Sequence, residues 1–393
     1  MEATTGQPAG YDADGMLRLD GRRCFVLGAY SAPSGSPADG RTAWRELADL
    51  GLHVVRARAT DEDLDAARTA GLRAWVTVGC VDGQDAAERA EFEATVRRLR
   101  GHPALLFWET VDEPAWTWNQ AAPRVPPEPL IASYALLKGL DSERLAYLNH
   151  APTNLVSTLR AYAPATDITA CDIYPVIPVG MRTQYALFPD GLQGDLLNTT
   201  IGQVGDYTTK MRRVAGPGRP LFMVLQGFAW EMLRDANDRN PEMVLYPTYA
   251  QSRFMAYDAT VRGATGLLYW GLHRTPRQAP FWDDLQCLWR ELASLDAALS
   301  APRVRFRLRL EYFEIGHSVD RGVRVLAKRI AGVTYLLTVN EDRVPVRVRI
   351  EAEDPFGAIR VLGEDGEASV SGGALVADYA PFDVHVYAWD ART

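Results

Sequence analysis

The sequence contains few of the residues that characterise disulfide-bonded and zinc-binding proteins. Its 393 residues include four cysteines, far apart and without Cys-x-x-Cys spacing: Cys24, Cys80, Cys171 and Cys287. This distribution predicts buried free thiols rather than a disulfide framework or a zinc site. The six histidines are scattered and include no pair at the spacing of a zinc-protease helix. We therefore expect no metal ion and no other cofactor.

Long runs of one chemical character are also missing. No stretch of about 18 apolar residues occurs, which argues against a transmembrane helix. The net charge is −8 and no long basic run is present, so nucleic-acid binding has little electrostatic support. The segment from Met1 to Gly10 lacks a hydrophobic signal core. The expected compartment is the cytoplasm, or the periplasm or exterior if a leader was removed; the sequence does not decide between them.

What the sequence does contain is a regular alternation of strand-like and helix-like segments. Eight apolar, β-rich runs are separated by helical patterns, at residues 24–30, 53–58, 73–78, 104–111, 145–150, 167–174, 220–227 and 266–271. Eight strand–helix units over about 275 residues match the size and rhythm of a (β/α)₈ TIM barrel. The sequence therefore predicts an α/β fold of this kind.

The pattern changes after Pro302. Short runs that mostly alternate polar and apolar residues follow at 304–311, 323–329, 333–339 and 344–351, separated by polar turns. This pattern is typical of a small antiparallel β-sandwich. We therefore predict an N-terminal extension at residues 1–20, a barrel at 21–301 and a β-sandwich domain at 302–393.

The fourth predicted barrel strand ends in the most informative segment of the chain. An apolar run leads directly into Asp112, Glu113 and Pro114, and Trp116 and Trp118 follow in the loop. Burying an unpaired charge costs several kcal/mol of folding free energy, so we expect these carboxylates to be solvated, to be paired with a cation or to have a functional role. Acids beside indoles suit a site that cleaves sugars, because acids transfer protons and indole faces pack on pyranose rings.

The other candidate residues also lie at or just after the carboxyl ends of predicted strands. In a (β/α)₈ barrel these ends carry the active site. Besides Tyr30 and His150, which end strands one and five, the candidates are Asp172, Tyr174, Gln226, Trp230, Trp270 and His273. We expect two or three of five tryptophans to line the cleft: Trp116, Trp118, Trp230, Trp270 and Trp282. Glu109 is expected to pair with Arg56 or Arg58 inside the barrel.

The segment Trp-Glu-Thr-Val-Asp-Glu-Pro at 108–114 resembles the strand-four signature Trp-Glu-x-x-Asn-Glu-Pro of the clan A glycoside hydrolases. The resemblance implies a retaining enzyme on a (β/α)₈ barrel, often with a C-terminal β-domain. It implies that Glu113 is the acid/base and that Asp112 takes the place of an Asn that contacts the sugar 2-hydroxyl. The segments at 171–175 and 266–270 are similar to strand-six and strand-eight endings of such barrels.

Strand seven departs from the clan A pattern. It ends in Gln226, where the family has its nucleophilic Glu, and a neutral amide does not form a glycosyl ester as a carboxylate does. Four explanations compete: Glu231 replaces the nucleophile, Asp172 acts as the base of an inverting reaction, the substrate brings its own nucleophile such as a 2-acetamido group, or the barrel binds sugars without cleaving them. Asp112-Glu113 also resembles the pair that ends strand four of family-20 hexosaminidases.

The expected function is hydrolysis of a glycosidic bond in a carbohydrate or glycoconjugate, with Glu113 as general acid/base. Asp112, Asp172, Tyr174 and Gln226 are expected to bind or orient the sugar, Gln226 through a hydrogen bond to a hydroxyl. The alternative is a non-catalytic carbohydrate-binding protein on a degenerate glycosidase barrel. The expected partner is an oligosaccharide, polysaccharide or glycoside. The sequence does not give the sugar, the linkage or the oligomeric state.

Overall fold

The computed structural model describes most of the chain. The described residues are 10–35, 40–81, 85–116, 122–181, 200–305, 307–313, 319–353, 356–364 and 368–390. Trp118 and most of the long segment after the sixth predicted strand lie outside them. No helix among the described residues is long and apolar enough to cross a membrane.

Three short strands precede the barrel in the segment predicted as an extension and its junction. They are β1 (Gly10–Tyr11), β2 (Leu17–Leu19) and β3 (Arg22–Cys24), and they form an antiparallel sheet. The side chains of Leu17 and Cys24 are buried in one cluster with the barrel residues Val26 and Val54. This sheet therefore adds side chains to the barrel core.

Eight parallel strands close into a barrel, in which the last strand pairs with the first. The strands are β4 (Val26–Ala29), β5 (Val54–Ala57), β6 (Arg73–Thr77), β7 (Leu105–Glu109), β8 (Leu145–His150), β9 (Ile168–Asp172), β10 (Leu221–Gln226) and β11 (Gly266–Trp270). The α-helices are α1 (Gly40–Asp49), α2 (Asp61–Ala70), α3 (Ala86–Leu99), α4 (Pro127–Leu140), α5 (Val156–Arg160), α6 (Gln203–Ala215), α7 (Tyr249–Arg262), α8 (Pro280–Ser294) and α9 (Asp296–Ser300). The predicted (β/α)₈ barrel is confirmed.

The helix boundaries follow local capping chemistry. Helix α2 begins where the Thr60 hydroxyl accepts the Asp63 backbone N–H, and it ends at Gly71 with φ 88°. Helix α7 begins with a reciprocal capping box between Thr248 and Gln251. A side-chain cap satisfies N–H groups that have no partner within the helix, and a left-handed glycine ends the last turn without steric cost.

The barrel interior consists of an aromatic layer with a polar layer above it. Trp75, Phe107, Tyr147 and Phe222 are buried and pack ring on ring, with centroids about 5.5–6.3 Å apart in the contacting pairs. Two residues further along three of these strands, at their carboxyl ends, stand Thr77, Glu109 and Asn149. Because side chains alternate along a strand, these residues face the same interior. The fold thus brings polar groups together at the mouth of the barrel.

Two antiparallel four-stranded sheets follow the barrel, in the orders β12-β15-β18-β17 and β13-β14-β19-β16. Their strands are β12 (Leu308–Tyr312), β13 (Val323–Ile330), β14 (Val333–Asn340), β15 (Val346–Ala352), β16 (Arg360–Leu362), β17 (Ser369–Ser371), β18 (Ala374–Tyr379) and β19 (Val384–Asp390). One hydrophobic cluster draws on both sheets, which confirms the predicted β-sandwich. The proposed boundary at residues 301 and 302 falls between α9 and β12.

A buried polar cluster joins the barrel helices to the β-sandwich. Arg262 of α7 donates to Glu341, with Nε 2.6 Å from Oε1, and the side chain of Asp258 is hydrogen-bonded to the same Glu341. The backbone N–H of Gly205 on α6 donates to Asp258 Oδ2 at 2.8 Å. A Cβ atom at Gly205 would lie 2.4 Å from Asp258 Oδ1. The glycine therefore allows α6 and α7 to approach closely under the β-sandwich.

Candidate active site

The loop after β7 presents the two adjacent acids. Strand β7 ends at Glu109 rather than at residue 111 as predicted, so Asp112 and Glu113 lie in the loop. The backbone N–H of Glu113 donates to the carbonyl of Asn149 at 3.1 Å. Glu113 has φ 47°, a conformation that costs a non-glycine residue about 1–3 kcal/mol and persists only where the surrounding structure imposes it. This strain is localised at the residue predicted to be the acid.

Three carboxyl groups meet above the fourth, fifth and sixth barrel strands. The Asn149 amide Nδ2 donates to Asp112 Oδ1 at 3.0 Å and to Asp172 Oδ1 at 3.1 Å. Asp172 and Glu113 are hydrogen-bonded through their side chains. Asn149 is buried, and its Oδ1 has no hydrogen-bond partner among the described residues. The structure therefore brings Asp112, Glu113 and Asp172 into one connected group.

The protonation of this group follows from its burial and its charges. Burial raises the pKa of Glu113 to about 7, and the charge of Asp112 adds to the effect. The hydrogen bond with Asp172 and the charge of Arg124, whose Nη1 lies 3.6 Å from Glu113 Oε2, oppose the rise. Burial, followed by the Glu113 and Asp112 charges, raises the pKa of Asp172 well above its usual value. Near neutral pH the Glu113–Asp172 pair therefore retains a proton.

Glu109 lies below this group, in the polar layer of the barrel. It is fully buried, and its Oε2 lies 3.3 Å from Arg56 Nε and accepts a hydrogen bond from the Thr77 hydroxyl. The predicted ion pair is thus with Arg56, whereas Arg58 pairs with Asp63 at 2.7 Å. Burial raises the pKa of Glu109, and Arg56 opposes this rise.

Aromatic side chains from the last three strand ends form a cluster beside the mouth of the barrel. The rings of Tyr174 and Trp270 stack with centroids 5.6 Å apart and 24° between their planes. Phe228 packs edge-on against both rings and against Trp230. The His273 ring lies 5.7 Å from the Trp270 ring. The structure therefore brings four of the predicted binding residues together: Tyr174, Trp230, Trp270 and His273.

Gln226 is buried and fully engaged by backbone groups. Its Nε2 donates to the carbonyls of Val176 at 2.9 Å and Phe228 at 3.0 Å, and its Oε1 accepts the N–H of Val176 at 3.0 Å. The amide thus ties the loop after β9 to the loop after β10. It does not offer the free hydrogen-bonding group that the sequence analysis assigned to a sugar hydroxyl.

Other candidate side chains also have structural partners. Glu231 is buried, its Oε1 accepts the Asn240 N–H at 2.7 Å, and its Oε2 lies 3.1 Å from Arg234 Nε. Trp282 is buried and packs edge-on against Trp289, so it is a core residue. His150 is buried against Tyr162. The preceding residue of β8, Asn149, is the one that contacts the carboxyl groups of Asp112 and Asp172.

The sequence analysis did not identify Asn149 or Arg124 as site residues. The alternation along β8 contains a signal for Asn149, because Tyr147 and Asn149 share the parity of an inward-facing row. No comparable signal exists for Arg124, which lies in a loop and comes close to Glu113 only through tertiary structure. Two backbone hydrogen bonds connect Arg124 and its neighbour to the segment after Glu113. The N–H of Arg124 donates to the carbonyl of Trp116, and the N–H of Val125 donates to the carbonyl of Pro114.

A closed (β/α)₈ barrel with carboxyl groups at its mouth, followed by a C-terminal β-sandwich, is a glycoside hydrolase-like fold. Comparison with known proteins supports this fold. No protein-family model matches the chain, and no curated protein matches it in sequence. Solved structures of glycoside hydrolases do match it over nearly its full length.

A glycoside hydrolase of family 5 from Bacteroides vulgatus is 13% identical, with 98% of this chain and 94% of that chain covered and a TM-score of 0.62. An α-amylase from Geobacillus thermoleovorans is 10% identical, with 94% and 98% covered and a TM-score of 0.55. A family 30 endoxylanase from Clostridium papyrosolvens is 11% identical, with 98% of each chain covered and a TM-score of 0.51. At these identities the likeness establishes the fold, and the role of each site residue stays a prediction.

Proposed function

We propose that the protein is a glycoside hydrolase in which Glu113 is the general acid/base. The observation that carries the proposal is the hydrogen-bonded carboxyl pair of Glu113 and Asp172 at the mouth of the barrel. Burial holds the pKa of Glu113 at about 7, so the group is available to deliver a proton near neutral pH. A glycosidic oxygen leaves much more readily when it is protonated, and a catalytic acid works best with a pKa near the working pH.

The aromatic cluster supplies a binding surface for the sugar. Trp270 and Trp230 are partly exposed and adjoin the buried Tyr174. Trp116, also partly exposed, follows Glu113 in the loop that carries the acid. Flat aromatic faces pack against the C–H face of a pyranose ring. The ligand we propose is therefore a carbohydrate or glycoconjugate that lies between the aromatic cluster and Glu113.

The test of general acid catalysis uses leaving groups that differ in their need for a proton. Phenyl and 2,4-dinitrophenyl glycosides of several sugars, in both anomeric forms, are assayed with the wild type and with Glu113→Gln. We expect the phenyl glycosides to lose about 10²–10⁴-fold in kcat in the variant. The dinitrophenyl glycosides should lose far less, because their leaving group departs without protonation.

Glu93→Gln serves as the matched control, since Glu93 is a helix α3 residue that pairs with Arg89 and Arg97. It should behave as the wild type with both classes of substrate. Equal rates for wild type and Glu113→Gln on a phenyl glycoside would remove Glu113 from the role of acid.

The neutral Gln226 at the end of β10 favours a second candidate function, a carbohydrate-binding protein without catalytic activity. Its test is calorimetric titration of the wild type with sugars alongside analysis of the same samples for cleavage. Binding without any cleavage over long incubation would support this candidate. Cleavage that disappears in Glu113→Gln would eliminate it.

A further inference from the structure

Asn149 of strand β8 lies between two of the three carboxyl groups. Its Nδ2 atom is 3.0 Å from Asp112 Oδ1 and 3.1 Å from Asp172 Oδ1. The side chain is buried, with 4% of its surface exposed. Hydrogen bonds have a larger electrostatic effect in such a setting than in water. The amide is therefore placed to influence the protonation of the acids that it contacts.

The backbone of the same residue contacts the third acid. The carbonyl of Asn149 accepts the N–H of Glu113 at 3.1 Å. Glu113 has φ 47°, and a strained backbone of this kind persists only where its surroundings impose it. Asn149 thus contacts all three acids, Glu113 through its backbone and the other two through its side chain.

The orientation of the amide limits where the proton of the Glu113–Asp172 pair can lie. A carboxamide nitrogen has two N–H donors, and Asn149 directs them to Asp112 and Asp172. The oxygens that accept these bonds present lone pairs to the amide. The proton of the pair is therefore held in the contact between Asp172 and Glu113, on the side away from Asn149.

The hydrogen bond from Asn149 also affects how strongly Asp172 holds that proton. A donor stabilises an ionised carboxylate more than a neutral carboxylic acid. Burial, followed by the charges of Glu113 and Asp112, raises the pKa of Asp172, and the hydrogen bond from Asn149 opposes this rise. The amide thus weakens the hold of Asp172 on the proton that it shares with Glu113.

We propose that Asn149 is a positioning residue that biases the shared proton of the acid pair towards Glu113, so that Glu113 is the member that delivers it. This role rests on the proposed function, because it requires Glu113 to protonate a glycosidic oxygen. It deepens that function by naming the group that controls the protonation of the acid. In the step itself the O–H bond of Glu113 breaks as the leaving oxygen takes the proton, and the amide of Asn149 keeps both of its protons.

Other titratable groups surround the pair, and their charges also act in this part of the barrel. They are Asp112 and Arg124 in the loop after β7, Glu109 on β7, Tyr147 on β8, Tyr30 after β4, Cys171 on β9 and Lys210 on α6. All of them remain when Asn149 alone is replaced. A change in protonation on that replacement therefore reports the lost amide.

The placement of the proton can be measured without a substrate. Infrared difference spectra across a pH of about 7, where Glu113 titrates, detect the C=O stretch of the carboxylic acid that loses its proton. A heavy carbon isotope in the aspartate side chains shifts this band only if the proton is on an aspartate. The double variant Glu113→Gln/Asp172→Asn is the reference, so that bands of other buried acids such as Asp258 are subtracted.

In the wild type we expect a band that the aspartate label hardly shifts. Asn149→Leu removes both donors at similar volume, and the ratio of the label-sensitive to the label-insensitive band should rise about tenfold. A hydrogen bond to an ionised group is worth at least this change in equilibrium. Asn149→Ala removes the same donors without adding volume and should change the ratio in the same direction.

Kinetics supply a second measurement that a purely structural role would not reproduce. In Asn149→Leu we expect kcat on a phenyl glycoside to fall about tenfold at neutral pH, while a 2,4-dinitrophenyl glycoside, whose leaving group needs no proton, is hardly affected. The alkaline limb of the phenyl glycoside profile should move to higher pH, because the ionised acids lose a donor and the pair keeps its proton longer.

Asn154→Leu is the matched control. Asn154 is also buried, but its Nδ2 donates to the backbone carbonyl of Ala115 at 3.0 Å and not to an acid. This substitution removes a comparable hydrogen bond in the same part of the barrel. It should alter neither the isotope pattern of the infrared band nor the ratio of the two glycoside rates.

The outcomes separate this role from the proposed function. An isotope pattern that is the same in the wild type and in both Asn149 variants would overturn the role of Asn149, as would equal losses of kcat on the two glycosides. A wild-type band that shifts fully with the label would place the proton on Asp172 and overturn it as well. If the isotope pattern changes as expected but the wild type hydrolyses no glycoside, the proposed function fails and the placement of the proton stands.

Discussion

If Glu113 is the general acid that we propose, removing the positive charge of Arg124 should move the pH profile of hydrolysis in a predictable direction. Arg124 Nη1 lies 3.6 Å from Glu113 Oε2, and the Arg124 side chain is 48% exposed. The guanidinium favours the ionised form of Glu113, so its loss should raise the pKa of that carboxyl above about 7. A general acid must be protonated to act, and activity is therefore lost as the pH rises through this pKa. Arg124→Gln should shift the alkaline limb of the profile to higher pH.

The size of the shift follows from the distance and the exposure. Two unit charges this far apart interact by about 1 kcal/mol in water and about 4 kcal/mol at the effective dielectric constant of a protein surface. Since about half of the Arg124 side-chain surface is in solvent, we take the lower of these two energies. That energy corresponds to a shift of about 0.7 in the pKa of Glu113.

The assay is the pH dependence of kcat on a phenyl glycoside, measured for wild type, Arg124→Gln, Arg124→Lys and Arg45→Gln. Arg124→Lys keeps the charge and should leave the limb near its wild-type position. Arg45→Gln removes an exposed arginine that pairs with Asp49 on α1, and it should have no effect. An alkaline limb that stays in place or moves to lower pH in Arg124→Gln would refute the electrostatic reasoning.

Two further predictions concern residues outside the carboxyl group. Gly205→Ala would place a Cβ atom 2.4 Å from Asp258 Oδ1. We expect this substitution to lower the free energy of unfolding, measured in urea titrations, by about 1–3 kcal/mol. Unchanged stability would contradict the close packing of α6 on α7. Glu231→Gln should lower stability by about 1–2 kcal/mol through the weakened contacts with Asn240 and Arg234, while kcat falls by less than about tenfold. A loss of kcat as large as that of Glu113→Gln would instead make Glu231 part of the catalytic machinery.

The barrel could be predicted because each of its strands is a short, continuous apolar run between helices. Strand β8 has the predicted bounds, 145–150. No segment could be identified from the sequence as helix α6, because its buried residues include Gln203, Thr208 and Lys210. Polar residues that are buried by tertiary contacts conceal the apolar stripe by which a helix is recognised. The last four strands of the β-sandwich were likewise not predicted.

The candidate site could be predicted where one segment carries the whole signal. Asp112, Glu113 and Pro114 are adjacent in sequence, so their unusual combination after an apolar run is visible without a structure. The hydrogen bonds of Asn149 to Asp112 and Asp172 join residues 37 and 23 positions apart. Such contacts depend on the register of three parallel strands, which a single sequence does not specify to one residue.

The environment of Gln226 explains why a neutral residue stands at the end of β10. Its Nε2 donates to two carbonyl oxygens at once, and an ionised carboxylate has no proton to donate to either. Glutamate at this position would set a negative group against the carbonyls of Val176 and Phe228 in a buried setting, where an unpaired charge is costly. The amide therefore ties the loop after β9 to the loop after β10 at the position where the clan A pattern has its nucleophile. If the protein cleaves glycosides as we propose, its second reactive group must come from another position than the end of β10.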